Sequence, residues 1–302
     1  MIDVSPKSKT LRYAKACGSI RAGEPTIDLV RSGKVPKGDV LEVARSAGIA
    51  AAKRTSEWII FCHSLPLDWV DLSFEIESER ITVSAEVKSI WRTGVEMEAL
   101  TAVSAALLNI YDMLKPLDDH LAISDIKLVQ KRGGKSDFTD EFDKPLRAAV
   151  LVVSDGTFAG KREDRSGKII KSFLQDQPIE VEVYDVLPDE EDQISARLME
   201  LADNDKFDLI FTTGGTGLGP RDVTPEATAA VIEKPIPGIA EAIRKHGKDR
   251  TPYAMLSREL CGVRGQCVIV NFPGSSRGAQ ESLQAIFPGL LHVFSMIRGG
   301  GH

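Results

Sequence analysis

The 302-residue chain has no excess of positive charge: 38 lysines and arginines stand against 44 acids, for a net charge of −6. A protein held to nucleic acid by phosphate contacts needs the opposite balance, so that class is excluded. Cysteine is scarce. The four present, Cys17, Cys62, Cys261 and Cys267, form no CxxC pair and are too few for a disulfide framework. No uninterrupted apolar run approaches the roughly 20 residues that cross a bilayer. The opening MIDVSPKSKTLRYAK lacks the apolar centre of a signal peptide. The expectation is a cytoplasmic protein with neither membrane nor nucleic acid as partner. Neither GxGxxG nor GxxxxGK[ST] occurs, which counts against a generic nucleotide-binding α/β enzyme.

What is present is ordinary globular composition, 42% hydrophobic and 27% charged. At roughly 150 residues per domain the length suggests two domains. The polar stretch GGKSDFTDEFDKP ends in proline before the apolar run AAVLVVSD, as a boundary does. We therefore expect a domain over 1–138, a linker over 139–146 and a second domain over 147–302. Charge does not separate them: residues 1–144 carry 20 basic and 22 acidic side chains and the remainder 18 and 22. No internal repeat relates the halves.

The first half alternates apolar and polar residues over WVDLSFEIESERITVSAEVKSIW, with Val70, Leu72, Phe74 and Ile76 on one face and a turn near Ser78–Arg80. Leu100, Val103, Leu107, Ile110 and Leu114 then follow helical spacing, and an earlier helix is expected over 37–55. This predicts an α+β domain, an antiparallel sheet with helices on one side. The second half alternates strands and helices: AAVLVVSD, helix 166–175, strand 179–186, helix 192–201, strand 208–212. It predicts an α/β domain with a doubly wound, mostly parallel sheet and ligands at the carboxyl ends of the strands.

In the second half, the sharpest signal is the turn running from Thr212 to Pro225, TTGGTGLGPRDVTP. Glycines let a backbone approach a phosphate or ring, and the following helix start favours an anion. Thr224 reads as an N-cap with Pro225 behind it, and Asp222 as a carboxylate able to hold magnesium or orient a hydroxyl, or as a plain cap aspartate on a glycine-rich turn. The acids of Leu187–Asp192 and the segment Asn271–Arg277 fall on the same rim. The ordered set VVSD, LPDE, TTGGTG, RDVTPEAT, LSRE and NFPGS resembles the molybdopterin adenylyltransferase family, of the MogA/MoaB type. The resemblance implies a usually trimeric α/β domain that activates molybdopterin with ATP and magnesium. It marks Asp189 and Asp222 as the carboxylates of adenylyl transfer and of any magnesium site. It places Thr213, Gly214, Gly215, Thr216 and Gly217 along the pterin and phosphates, with Ser257, Pro273, Gly274 and Ser275 nearby. The alternative is a non-catalytic molybdopterin-binding or scaffolding module.

The motifs of the first half carry one histidine, several lysines and several carboxylates beside apolar segments, types that move protons once perturbed. Asp112 and Lys115, at i,i+3, also suit a plain surface ion pair. In order, KGDV, AGIAAAKRT, FCHSL, TGVEMEALTA, IYDM and KRGGKS resemble cyclic pyranopterin monophosphate synthase, of the MoaC type. The resemblance implies conversion of a cyclised GTP derivative to cyclic pyranopterin monophosphate, with loss of pyrophosphate and no cofactor. It implies catalysis by Asp112 with Lys37, His63 and Lys115. Phe61, Cys62, Met97 and Glu98 would contact substrate, and Arg12, Lys53 and Lys131 suit its triphosphate. Ser64 replaces a usual proline, Arg132 a small residue, and Asp137 a common glycine.

Helix geometry adds a constraint. Glu98 and Asp112 are 14 residues apart, about 21 Å along a continuous helix. One pterin-sized ligand cannot touch both in one chain, so a shared site lies between subunits. That agrees with the hexameric assembly the resemblance implies. The whole reads as a bifunctional enzyme of molybdenum cofactor synthesis, a lyase joined to a transferase, acting on pterin and nucleotide substrates.

Overall fold

Period-two alternation builds the sheet of the first unit. The computed structural model describes residues 1–299, without the side chains of Lys135 and Ser136. The chain divides into Met1–Phe138 and a second unit that begins at Thr139. In the first, β1 (Thr10–Arg21), β2 (Trp69–Ile76), β3 (Arg80–Trp91) and β4 (Ala122–Arg132) pair antiparallel in the order β2-β3-β1-β4. Ala14, Ala16, Leu72, Val83, Ala85 and Val87 line its buried face. Lys15 and Glu86 pair at 2.9 Å on the other.

Helices α1 (Glu24–Arg31), α2 (Val40–Ala52), α3 (Thr55–Trp58) and α4 (Glu96–Leu114) complete the unit. Helix α2 is shorter than the expected 37–55. Asp39 ends it on the N-terminal side by accepting the amides of Leu41 and Glu42 at 3.0 and 3.1 Å. Helix α4 packs on β1, β3, β4 and α2, with Val103, Leu107, Ile110 and Leu114 fully buried. By length and composition alone it could cross a membrane, but it is mostly buried inside this unit. Gly48 lies at a close approach of α2 to its neighbours. A β-carbon there would overlap Leu72 and sit 3.0 Å from the carbonyl oxygen of Ala102 in α4.

The second unit contains β5 (Leu146–Val153), α5 (Asp155–Phe158), α6 (Ser166–Leu174), β6 (Ile179–Leu187), α7 (Glu191–Met199) and β7 (Leu209–Thr213). After these come α8 (Thr224–Val231), β8 (Lys234–Pro235), α9 (Pro237–Lys248), β9 (Cys261–Arg264), β10 (Cys267–Phe272), α10 (Ser276–Ile286) and α11 (His292–Ile297). The sheet order is β6-β5-β7-β10-β9-β8. The first four strands are parallel, and β9 and β8 extend the edge antiparallel. β5 and β7 are buried along nearly their whole length, as strands covered by helices on both faces must be. Phe211 and Phe272 stack in one layer at 5.4 Å, while Leu151, Ile210 and Ile269 fill the other. Within 139–146, Phe142 packs edge-to-face on Phe294 at 6.2 Å. Asp140 lies 3.0 Å from Nδ1 of His292, and Leu146 opens β5.

Gly48→Ala is expected to destabilise the first unit. Overpacking costs about 1–3 kcal/mol, against at most about 1 kcal/mol of helix propensity gained. Urea unfolding measures the balance, and a stabilised variant would contradict the close packing.

Candidate active sites

The two ends of α4 carry separate polar clusters. At its C-terminal end, Asp112 is clasped by two lysines. Lys37 Nζ donates to its Oδ2 at 2.9 Å and to its backbone carbonyl at 2.6 Å. Lys115 reaches Oδ1 at 2.7 Å. The bond from Lys115, then that from Lys37, lowers the Asp112 carboxyl to about 2. The same contact raises the Lys115 ammonium, so a lysine of lowered pKa, as proton transfer prefers, is not found at Lys115 here. The sequence placed Asp112 and Lys115 together; only the fold brings in Lys37, which is 75 residues away from Asp112.

At the N-terminal end, Glu98 is 3% exposed. The Cys62 thiol donates to its Oε1 at 3.6 Å. Burial, then the Glu98 charge, pushes that thiol up to about 11, so it is a protonated donor at neutral pH. Burial likewise raises the Glu98 carboxyl. Its Oε2, with Arg92 Nε and Thr93 Oγ1, is buried without a hydrogen-bond partner among the described residues. Such orphans are rare in finished protein interiors. Arg12 donates to the carbonyls of Trp91 and Arg92 at 3.3 Å each. With Gly94, Glu96, Lys131 and Arg132 it lines a cavity of about 70 Å³; Lys131 lies 3.7 Å from Glu96. Phe61 is 76% exposed and Met97 partly so. Lys53 is exposed at the end of α2, and among the described residues no hydrogen bond or ion pair joins its side chain to either cluster. His63 lies near Asp3, whose carboxyl is lowered mainly by the Ser5 amide. Lys135 and Ser136 of the KRGGKS motif have side chains outside the described residues.

In the second unit the site is built at the carboxyl ends of β5, β6, β7 and β10. A cavity of about 610 Å³ is lined there by Ser154, Asp189, Thr213, Gly214, Asp222 and Ser275, among others. Gly214, at φ 105°, runs against the carbonyl of Val153, and a β-carbon would collide with that oxygen. Thr213 Oγ1 donates to the Pro273 carbonyl at 2.9 Å, and Gly274 lies against Gly214. Thr216 and Ser257 share a hydroxyl contact at 3.3 Å. Thr224 is not the N-cap expected of it. Val223 takes that position, and the Thr224 hydroxyl is buried against Gly215 without a partner among the described residues.

The acidic rim is more organised than the sequence suggested. Asp155 and Asp189 exchange bonds: Asp155 N donates to Asp189 Oδ2 at 2.7 Å, and Asp189 N to Asp155 Oδ1 at 3.0 Å. Arg221 holds Asp155 through two bonds of 3.1 Å and Glu190 at 2.8 Å. Its cation lowers Asp155. Burial, and further the neighbouring Asp155 and Asp222, raise Asp189. Asp222 Oδ2 accepts the Gly219 amide at 2.7 Å. Oδ1 of Asp189 and Oδ1 of Asp222 have no hydrogen-bond partner among the described residues. No group of three or more metal-ligating side chains occurs among those residues. Asp189 and Asp222 both line the cavity, and a cation held by one or two carboxylates would have to fill its shell with phosphate oxygens and water.

Sequence reasoning missed Asp155, Arg221 and Arg258. Arg258 donates to the carbonyls of Gly217 and Asp222 at 2.7 and 2.6 Å and pairs with Glu226. It thereby ties the glycine turn to the LSRE segment. Its place inside that quoted motif was the available signal.

Comparison with known proteins follows the same division. Residues 1–134 match the MoaC family, and residues 149–292 the family described as "probable molybdopterin binding domain". The chain is 43% identical over 302 residues to the molybdenum cofactor biosynthesis bifunctional protein of Chlorobaculum tepidum, covering all of this chain and 96% of that one. It is 54% identical over 136 residues to the cyclic pyranopterin monophosphate synthase of Novosphingobium aromaticivorans, covering 45% of this chain and 87% of that one. The crystal structure of the molybdopterin biosynthesis enzyme MoaB from Thermus thermophilus is 46% identical, with TM-score 0.49, over 51% of this chain and 97% of that one. With a relative matched along nearly its full length, the chain belongs to the family of bifunctional molybdenum cofactor biosynthesis proteins.

Proposed function

We propose that the first unit is a cyclic pyranopterin monophosphate synthase whose active site is shared between two copies of the chain. The observation that carries this is the continuity of α4. Its ends hold the lysine-clasped Asp112 and the half-satisfied Glu98, about 21 Å apart. Lys37, Asp112 and Lys115 of one copy would face Cys62, His63, Met97 and Glu98 of another. Phe61 and the Arg12, Lys53 and Lys131 cations would grip the substrate and its triphosphate. Asp112, ionised at working pH, stabilises cationic character rather than donating a proton. Glu98, raised by burial, is the carboxyl suited to carry one. The assembly that satisfies this pairing is a homo-oligomer, and a hexamer is the expected form in light scattering.

The second unit, in the same reading, adenylylates molybdopterin at the cavity beside Asp189 and Asp222. ATP is the co-substrate. The terminal phosphate of the pterin attacks the α-phosphorus, and pyrophosphate leaves. Asp189 and Asp222 would hold magnesium, which would supply neutralisation of phosphate charge. The chain itself contributes the glycine turn, Thr213–Gly217, which admits a ligand against backbone. Ser257, Pro273, Gly274 and Ser275 close the same rim, and catalysis here is mainly positioning. The family relation supports a role in molybdopterin adenylylation in general terms, and the carboxylate pair supports the magnesium and ATP assignment.

Three experiments test these readings. Asp112→Asn and Glu98→Gln are each expected to abolish synthase activity. Mixed after dissociation and reassociation, they should recover up to about a quarter of the wild-type rate, since half of random pairs are hybrids with one intact site of two. No recovery from folded, mixed oligomers would mean the site lies within one chain. Glu98 also predicts a stability slope. Its folded pKa lies above the ordinary 4.5, so its contribution is present at lower pH and is lost as pH rises above that value. Glu98→Gln should flatten the fall in melting temperature as pH rises above 4.5; equal slopes in both proteins would contradict the assignment. For the second unit, ATP- and magnesium-dependent adenylylation of molybdopterin should fall by about a hundredfold or more in Asp222→Ala. Wild-type binding of molybdopterin without product would reduce this unit to a binding module.

A further inference from the structure

The 610 Å³ cavity has a second polar feature that neither the carboxylate pair nor the glycine turn explains. The segment between α5 and α6 places Arg162 and Arg165 in its lining. Every other arginine from Arg147 to Arg277 has a carboxylate within ion-pair distance. Arg162 and Arg165 have no ion pair and no side-chain hydrogen bond among the described residues. The acids on their own segment are already engaged. Glu163 is held by Lys168 at 2.7 Å. Asp164 accepts the Gly167 and Lys168 amides at 3.0 and 3.2 Å, with the Ser166 and Tyr184 hydroxyls. Two cations thus face a cavity whose other walls include glycine backbone, the hydroxyls of Ser154, Ser275 and Ser276, the engaged acids Glu163 and Asp164, and the acids Asp189 and Asp222.

We propose that Arg162 and Arg165 form the phosphoryl-anchoring subsite of this cavity, taking a phosphate group of the ligand apart from the Asp189 and Asp222 carboxylates. The inference rests on the transferase reading only for which ligand brings the phosphate. A polyphosphate entering beside two carboxylates meets like charge. Two unpaired guanidinium groups offset that repulsion and offer planar, bidentate donors that suit phosphate oxygens. A nucleoside triphosphate and a pterin phosphate ester share this chemistry, and the nucleotide is the assignment we make.

The test is calorimetric titration of the full-length chain with ATP, inorganic tripolyphosphate, adenosine and molybdopterin. Arg162→Ala/Arg165→Ala is expected to weaken ATP and tripolyphosphate by about tenfold or more and to leave adenosine unchanged. Its binding should also depend less on salt than that of the wild type. Both side chains are exposed, so the melting temperature should hold; Arg162→Lys/Arg165→Lys should restore part of the affinity through charge alone. Loss confined to molybdopterin would keep the subsite and assign it to the pterin phosphate. Unchanged affinity for all phosphate ligands, or no phosphate binding by the wild type, overturns the proposal. Arginine-dependent tripolyphosphate binding by a chain that forms no adenylylated product would retain the subsite and discard the transferase reading.

Discussion

A rigid helix cannot bring its two ends to one point, and the first unit is organised around that fact. Helix α4 runs unbroken from Glu96 to Leu114, pressed onto β1, β3 and α2 by side chains with no exposed surface. Its burial fixes Asp112 beside Lys37 at one end and Glu98 beside Cys62 at the other. The two carboxyl groups then live in opposite environments. Asp112 is exposed, doubly paired and strongly acidic. Glu98 is desolvated, accepts one weak thiol bond and is less acidic than usual. One helix thereby supplies two groups of one chemistry whose acidities are shifted in opposite directions by their surroundings.

The second unit reaches a comparable separation by another route. Its carboxylates come from three loops at the ends of parallel strands. Arg221 joins the first two loops from the third by holding Asp155 and Glu190. That leaves Asp155 stabilised as an anion, while Asp189, bonded to it through backbone amides, is pushed up by burial and by its acidic neighbours. The arginine is thus a brace rather than a ligand-facing cation. The unpaired Arg162 and Arg165 are of the other kind. Charge in this cavity is partitioned: one arginine is spent on loop geometry, and two are left facing the lumen.

Much of this was legible beforehand. Alternation gave β2 and β3, the 3/4 spacing gave α4, and the all-apolar β5 announced a strand covered on both faces. Asp112 and Lys115 were adjacent by spacing alone, and the glycine turn after β7 was plain. What could not be read were contacts between segments distant in sequence. Lys37 reaches Asp112 and Cys62 reaches Glu98 only because α2 and α3 pack on α4, and Asp155 exchanges bonds with Asp189 only because β5 and β6 lie side by side. The cap at α8 was misread for a local reason. Thr224 looked like a cap because threonine before proline favours one, but the preceding turn places Val223 at that position and turns the threonine hydroxyl inward against Gly215.

The sequence by itself determined the two-part organisation, the class of each sheet and the residue types available for chemistry. Hydrophobic period and turn composition are local properties, and they act through neighbours along the chain. The protonation behaviour of Glu98, Cys62 and Asp189, the two-lysine clasp on Asp112 and the unpaired state of Arg162 and Arg165 were decided by tertiary structure. Each depends on which groups lie within a few ångströms and how much water is excluded, and those quantities exist only once distant segments have packed.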